Sequence, residues 1–170
     1  MQTIRSVIIL TGVALFLSLA TAAASGEQPL KQAKSPDTKE IERGRYLVKI
    51  TGCNDCHTPG YTQNAGKVPE KDWLTGDRLG WRGPWGTTYA GNLRTYMNAI
   101  SESQWVKIAH TGEFRPPMPW FALHEMTEQD LRAIYRFVKH LGPSGGPEPS
   151  YLPPDQEPKG PYVLFPQPPK

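Results

Sequence analysis

Cys53-Asn54-Asp55-Cys56-His57 is the stretch from which the rest of the chain is read. Two thiols separated by two residues fall on neighbouring positions of one helical turn, so both can add to the two vinyl groups along one edge of a porphyrin. The histidine that follows is held under the ring by the same turn, where its imidazole can ligate iron. C-x-x-C-H is for that reason the signature of covalent attachment of one c-type haem. C-x-x-C alone would also suit thiol–disulfide exchange or half of a zinc site. Zinc needs four ligands, yet the chain has Cys 2 in all, and His110, His124 and His140 show no ligand-type spacing. A redox dithiol belongs beside a β-α-β pattern, and no such strand run precedes Cys53.

Upstream, residues Met1 to Ala24 carry a single charge, Arg5, then an apolar run from Val7 to Leu19 and a string of small residues. This pattern is a secretory signal peptide, with cleavage expected after Ala22-Ala23-Ala24 and before Ser25. The apolar run is short for a bilayer span, and an uncleaved anchor is the alternative. The remaining chain is long enough for one domain with a modest core. The net charge of +3 includes Arg5, so the processed chain is close to neutral, and two haem propionates would cancel the surplus. That balance speaks against a nucleic-acid or membrane-surface binder, and no stable membrane insertion is expected once the signal is removed.

Residues 25–39 are polar, with Pro29 and Pro36, and read as a flexible leader. Asp37 to Glu40 offer cap residues and early acidic charge for a first helix carrying Ile41, Gly44, Leu47, Val48 and Ile50. A glycine inside a helix costs about 1 kcal/mol against alanine, so Gly44 points to another helix crossing closely there. From Thr58 to Asn98 glycine, proline and aromatics, among them Trp73, Trp81, Trp85, Tyr89 and Tyr96, indicate ordered loops and no sheet. Such loops can wrap an apolar plate, with Arg82 and the indole N–H groups as candidates to meet its propionates. Ser101 to Gln104 match a capping box, predicting a second helix that ends near Gly112. Thr127 to Asp130 open a third, in which Leu131, Ile134, Tyr135, Val138 and Leu141 form one apolar stripe. Gly142-Pro143 stops it. Proline recurs so often in residues 143–170 that they are neither helix nor central strand, and this extended tail either wraps its own domain or clips onto a partner.

Iron held by His57 on one side leaves a second axial position. Met118 sits in Arg115-Pro116-Pro117-Met118-Pro119-Trp120, where three prolines stiffen the backbone. A rigid segment lowers the entropy cost of keeping a weak thioether ligand bound. Met126 precedes the capping threonine and reads as a hydrophobic staple, and Met97 as core. Two alternatives stay open: a histidine ligand, foremost His110, or an exchangeable distal site.

With these residues located, the chain resembles class I cytochromes c over roughly Glu40 to Leu141. More narrowly, Glu42-Arg43-Gly44-Arg45-Tyr46-Leu47-Val48, Cys56-His57-Thr58-Pro59, Gly86-Thr87-Thr88-Tyr89-Ala90-Gly91-Asn92 and Met118-Pro119-Trp120 are similar to the haem modules of cytochrome subunits of membrane-bound alcohol and gluconate dehydrogenases. Those subunits typically hold three such modules, whereas this chain has one. The resemblance implies an all-α class I cytochrome c fold: three or more helices around one covalently bound haem, with long ordered loops and an extended proline-rich tail. It implies Cys53 and Cys56 as thioether anchors, His57 as proximal and Met118 as distal ligand, and Tyr135 packed where the first and last helices cross. An aromatic four residues after the helix glycine is replaced here by Val48. The expected organisation is a signal peptide at 1–24, a leader at 25–39, a cytochrome c domain at 40–142 and a tail at 143–170.

The function these readings imply is that of a periplasmic electron carrier, not an enzyme, containing one haem c. Its partners would be redox proteins, with a dehydrogenase as donor and an oxidase or another cytochrome as acceptor in a respiratory chain. The competing readings are a haem enzyme or gas sensor with an open distal site, and a fixed subunit clamped to a dehydrogenase by its tail.

Overall fold

A computed structural model describes residues 38–166. Its framework rests on a steric demand in the first helix, α1 (Thr38–Ile50). A Cβ placed on Gly44 would lie 2.0 Å from the Ala133 carbonyl oxygen and 2.7 Å from the Phe137 Cβ, closer than any side chain can approach. Glycine alone lets α1 cross the last helix, α6 (Glu128–Leu141), at this depth. Leu47 and Val48 of α1 and Leu131, Ile134, Phe137 and Val138 of α6 are buried in the same core. The close crossing that Gly44 predicts is therefore present.

Tyr135 is not where the resemblance placed it. It stands two residues from both Ala133 and Phe137, about 200° away around the helix, so its ring faces a different neighbour. Its hydroxyl donates to the Ile100 carbonyl at 2.8 Å, joining α6 to the turn between α3 (Leu93–Asn98) and α4 (Glu102–Thr111). Val48, which replaces an aromatic, is fully buried.

The two later helices start and stop as their caps predict. Ser101 and Gln104 exchange the two bonds of a capping box at the start of α4, and Gly112 caps its end. The Thr127 side chain accepts from the Asp130 backbone N–H at the start of α6, and Gly142 follows its last turn. Two further helices are single turns, α2 (Cys53–His57) and α5 (Trp120–His124).

Residues 58–98 are not all loop. Gly80–Gly83 (β1) and Gly86–Tyr89 (β2) pair antiparallel around Pro84-Trp85, and Tyr162–Leu164 (β3) from the tail pairs parallel with β1, giving the order β2-β1-β3. The described residues are thus mostly helical with a small sheet, not all-α. The strands escape a pattern reading because each is four residues or fewer and glycine bounds both arms of the hairpin, so no alternation can register. Pairing makes them strands, locally for the hairpin and across the chain for β3.

The tail wraps its own domain. Leu152 and Thr87 exchange backbone bonds of 2.7 and 3.0 Å, and a Cβ on Gly86 would lie 2.2 Å from the Leu152 carbonyl oxygen. The Tyr151 hydroxyl donates to the Trp85 carbonyl, and the Phe165 ring packs against Trp81 and Trp85. Arg82 donates to the carbonyls of Pro154 and Gln156 and to the Thr87 hydroxyl. Pro161 and Pro166 flank β3, so proline stays outside the paired edge strand.

The signal peptide expected at 1–24 and the leader up to residue 37 lie outside the described residues, as do residues 167–170. Helix α1 already includes Thr38 and Lys39, two residues placed in the leader by their composition. No helix among the described residues is long and apolar enough to cross a membrane.

An ionic seam joins three helices. Glu102 of α4 accepts from Arg132 at 2.7 Å and Arg136 at 2.9 Å, and Arg136 also pairs with Glu40 of α1. Burial alone would push the Glu102 carboxyl up, but the hydrogen bonds from Arg136 and Arg132 outweigh it and hold the group below the ordinary value of 4.5. A depressed folded value means that the stabilisation is complete above about 4.5 and is lost as pH falls through the folded value. Thermal unfolding of the wild type and Glu102→Gln, followed from neutral pH downward, should show a gap that narrows below that point. At the helix crossing, Gly44→Ala should cost about 1–3 kcal/mol or more through overpacking, read as a lowered midpoint of unfolding.

Candidate functional site

The C-x-x-C-H stretch is a helix because the chain reverses just before it. Thr51 ends α1, its amide and hydroxyl both donating to the Leu47 carbonyl at 2.9 Å. Gly52, at φ 75, then takes the left-handed conformation and leads into α2. Cys53, Cys56 and His57 are thereby brought together on one helical turn.

That turn is fastened from behind by Asn54 and Thr58, both fully buried. The Thr58 hydroxyl donates to Asn54 Oδ1 at 2.7 Å and accepts from the Leu74 amide at 2.8 Å. The His57 carbonyl accepts from the Gly76 amide at 2.9 Å. Leu74 itself is fully buried with a left-handed backbone at φ 61, a strained state that persists only where its surroundings hold it.

His57 Nδ1 lies 2.7 Å from the Gly91 carbonyl oxygen. A carbonyl can only accept, so Nδ1 carries the hydrogen and Nε2 keeps its lone pair. Burial pushes the imidazole pKa down, against opposing influences from the Gly91 carbonyl and the Glu148 carboxylate. A neutral imidazole, pinned at Nδ1 and basic at Nε2, is the form in which histidine ligates a metal. Burial also pushes the Cys53 and Cys56 thiols up, the opposite of what thiol–disulfide exchange requires.

The donor set decides which group fits. No cluster of three or more His, Cys, Asp or Glu side chains among the described residues could hold a metal ion, so a protein-ligated zinc does not fit. A haem bonded to both thiols and ligated by His57 does. Trp81 Nε1 and Thr88 Oγ1 are buried without a hydrogen-bond partner, and these two residues face each other across β1 and β2. Adjacent buried polar atoms without partners suit an acceptor supplied by a bound group, such as a propionate. The indoles of Trp73, Trp85 and Trp105 already donate to carbonyls, and Arg82 is committed to Thr87 and the tail. Of the groups expected at the propionates, Trp81 retains a free donor.

Met118 is half-buried on the segment between α4 and α5. Its amide donates to the Arg115 carbonyl at 3.3 Å, and its carbonyl accepts from the Trp120 amide at 2.9 Å. Two histidines close the base of this segment: His110 Nδ1 donates to the His124 carbonyl at 3.3 Å, and His124 Nε2 to the Gly112 carbonyl at 3.0 Å. The Arg115 guanidinium lies 4.2 Å from the centre of the Tyr151 ring in the tail. Two of the three histidines weighed as ligands therefore already bond to carbonyls, while His140 is exposed. Met97 is fully buried and Met126 packs against the core.

Sequence reasoning missed three residues: Gly91 as the partner of His57, Asn92 as the junction beside it, and Glu148. Gly91 and Asn92 lie in one of the stretches that carry the family resemblance. Nothing in the sequence marks Glu148, because its role follows from where the tail returns.

Compared with family models, residues 41–142 match the one described as cytochrome c. No curated protein matches the chain, and no solved structure does.

The fastening of α2 is testable without any cofactor. Thr58→Val removes a hydroxyl that both donates and accepts, and should cost about 1–3 kcal/mol by stranding the buried Leu74 amide. Thr58→Ser should restore most of it. The denaturant midpoint measures both.

Proposed function

This chain belongs to the cytochrome c family, and on that premise we propose that it is a single-haem electron carrier of the periplasm. The family implies one covalently bound haem c and haem-based electron transfer. In our reading Cys53 and Cys56 form the thioethers, His57 is the proximal ligand and Met118 the distal one. When bound, the haem supplies an iron that passes between ferrous and ferric by one electron.

The chain's own residues do the rest. The hydrogen bond from His57 Nδ1 to Gly91 is the observation that carries the reading, because it aims Nε2 and raises its basicity. Gly52, Asn54 and Thr58 hold the two thiols and the imidazole on one turn. Histidine with methionine raises the reduction potential, and a segment tied at its base by His110 and His124 supports Met118 as a retained ligand. Filled axial positions favour outer-sphere transfer over an open site for a gas or peroxide.

The signal-like pattern of residues 1–24 supports export, with a periplasmic or membrane-bound dehydrogenase as donor and an oxidase or another cytochrome as acceptor. The tail's engagement with β1 and β2 favours a shuttling carrier over a subunit clamped by that tail. The amino terminus of the purified protein should read from Ser25.

Absorption spectra of the exported protein, oxidised and then reduced, with and without carbon monoxide, test the assignment. A ferric thioether charge-transfer band and no response to carbon monoxide are expected. Met118→Ala should lower the potential and open the iron to carbon monoxide, whereas Met126→Ala should cost stability and leave the spectrum intact. The reverse pair of results would move the distal ligand to Met126.

A further inference from the structure

Gly91 and Asn92 share one peptide group, and both of its polar atoms are engaged. Its carbonyl accepts from His57 Nδ1 at 2.7 Å. Its amide donates to Glu148 Oε2 at 3.2 Å. A carboxylate from the proline-rich tail therefore stands behind the imidazole, one peptide removed.

We propose that Glu148 tunes the haem iron by acting through the Gly91–Asn92 peptide on His57. The inference rests on His57 as the proximal ligand. A carboxylate accepting from an amide N–H shifts electron density toward the carbonyl oxygen of the same peptide, since hydrogen bonds in a chain polarise one another. The carbonyl then draws more strongly on the Nδ1 hydrogen, and Nε2 becomes a better electron donor. Stronger donation favours ferric over ferrous iron. The negative charge of Glu148 acts in the same direction, because the oxidised centre is the more positive. Both effects lower the potential.

The placement of Glu148 is built by the fold. Asn92 Nδ2 donates to the carbonyls of Ser144 and Gly146 at 2.8 and 3.2 Å, while its Oδ1 accepts from the amides of Arg94 and Thr95. The Arg94 guanidinium donates to the carbonyls of Lys71, Leu141 and Gly142. These bonds fasten the start of the tail at the same junction, and Pro147 and Pro149 on either side of Glu148 restrict its backbone. Glu148 is exposed, so solvent screens the effect in part.

The experiment is a spectroelectrochemical titration of the full-length haem-loaded protein and two variants. Glu148→Gln keeps an oxygen acceptor but removes the charge. Glu157→Gln makes the same charge change elsewhere on the exposed tail. For Glu148→Gln the ferrous-to-ferric ratio at fixed potential should rise by up to about tenfold, ~59 mV for a one-electron couple. The His57 Nδ1–H proton resonance of the ferrous protein should move upfield as that bond weakens, with the unfolding midpoint held. Glu157→Gln should leave ratio and resonance in place. An unshifted potential in Glu148→Gln, or an equal shift in both variants, overturns the proposal while the haem assignment stands. A wild type without a c-type spectrum overturns the haem assignment itself, and this inference with it.

Discussion

The contact between the Gly44 backbone and the Ala133 carbonyl is the constraint from which the rest of the structure follows. It lets α1 and α6 approach until side chains on either side of the contact, Val48 and Phe137 among them, are fully buried. Close packing of this kind tolerates little change in volume. The crossing fixes where α1 ends, and hence where Gly52 turns the chain into the C-x-x-C-H helix. It also places α6 so that Tyr135 reaches Ile100 and Trp105 donates to the Leu131 carbonyl at 2.8 Å, which positions α4 and the Met118 segment beyond it.

Around that frame, the turn that carries Cys53, Cys56 and His57 is held by hydrogen bonds from several directions. Thr58 closes over Asn54 and the Leu74 amide, the His57 carbonyl takes the Gly76 amide, and His57 Nδ1 takes Gly91. Each bond leaves one fewer way for the imidazole to turn, so Nε2 is presented with little conformational freedom left to lose. That is how a second layer of hydrogen bonds orients a metal ligand. Asn54 Nδ2 within the turn, and Trp81 Nε1 and Thr88 Oγ1 across the hairpin, stay buried without partners, and the Trp81–Thr88 pair marks where the protein is suited to a further group.

The tail is part of the same construction. Its prolines keep it extended, and its carbonyls and aromatic rings engage Arg82, Thr87, Trp81 and Trp85. Through Asn92 and Glu148 it also reaches the peptide that holds His57, and through Tyr151 it lies against Arg115 beside Met118. One extended segment thus touches residues on the proximal side of the site and on the Met118 side, which a freely solvated linker would not.

The caps at Ser101, Thr127 and Gly142, the stripe along α6, the need for close packing at Gly44 and the C-x-x-C-H turn were all legible in the sequence. The caps, the stripe and the turn depend on interactions within a few residues, whose spacing the chain itself displays, and Gly44 shows by its place inside a helix that a neighbour must come close without showing which one. The β-hairpin, the return of the tail as β3, the true neighbour of Tyr135 and the commitment of Arg82 were not legible. Nor was the line from His57 through Gly91 and Asn92 to Glu148. The sequence by itself determined α1, α4, α6 and the C-x-x-C-H turn, because helical periodicity and caps are local, whereas the short helices α3 and α5 carry too few residues to show a period. The tertiary structure alone decided which carbonyl pins His57 and which carboxylate stands behind it, because those partners are far apart along the chain and meet only when the whole of it has packed.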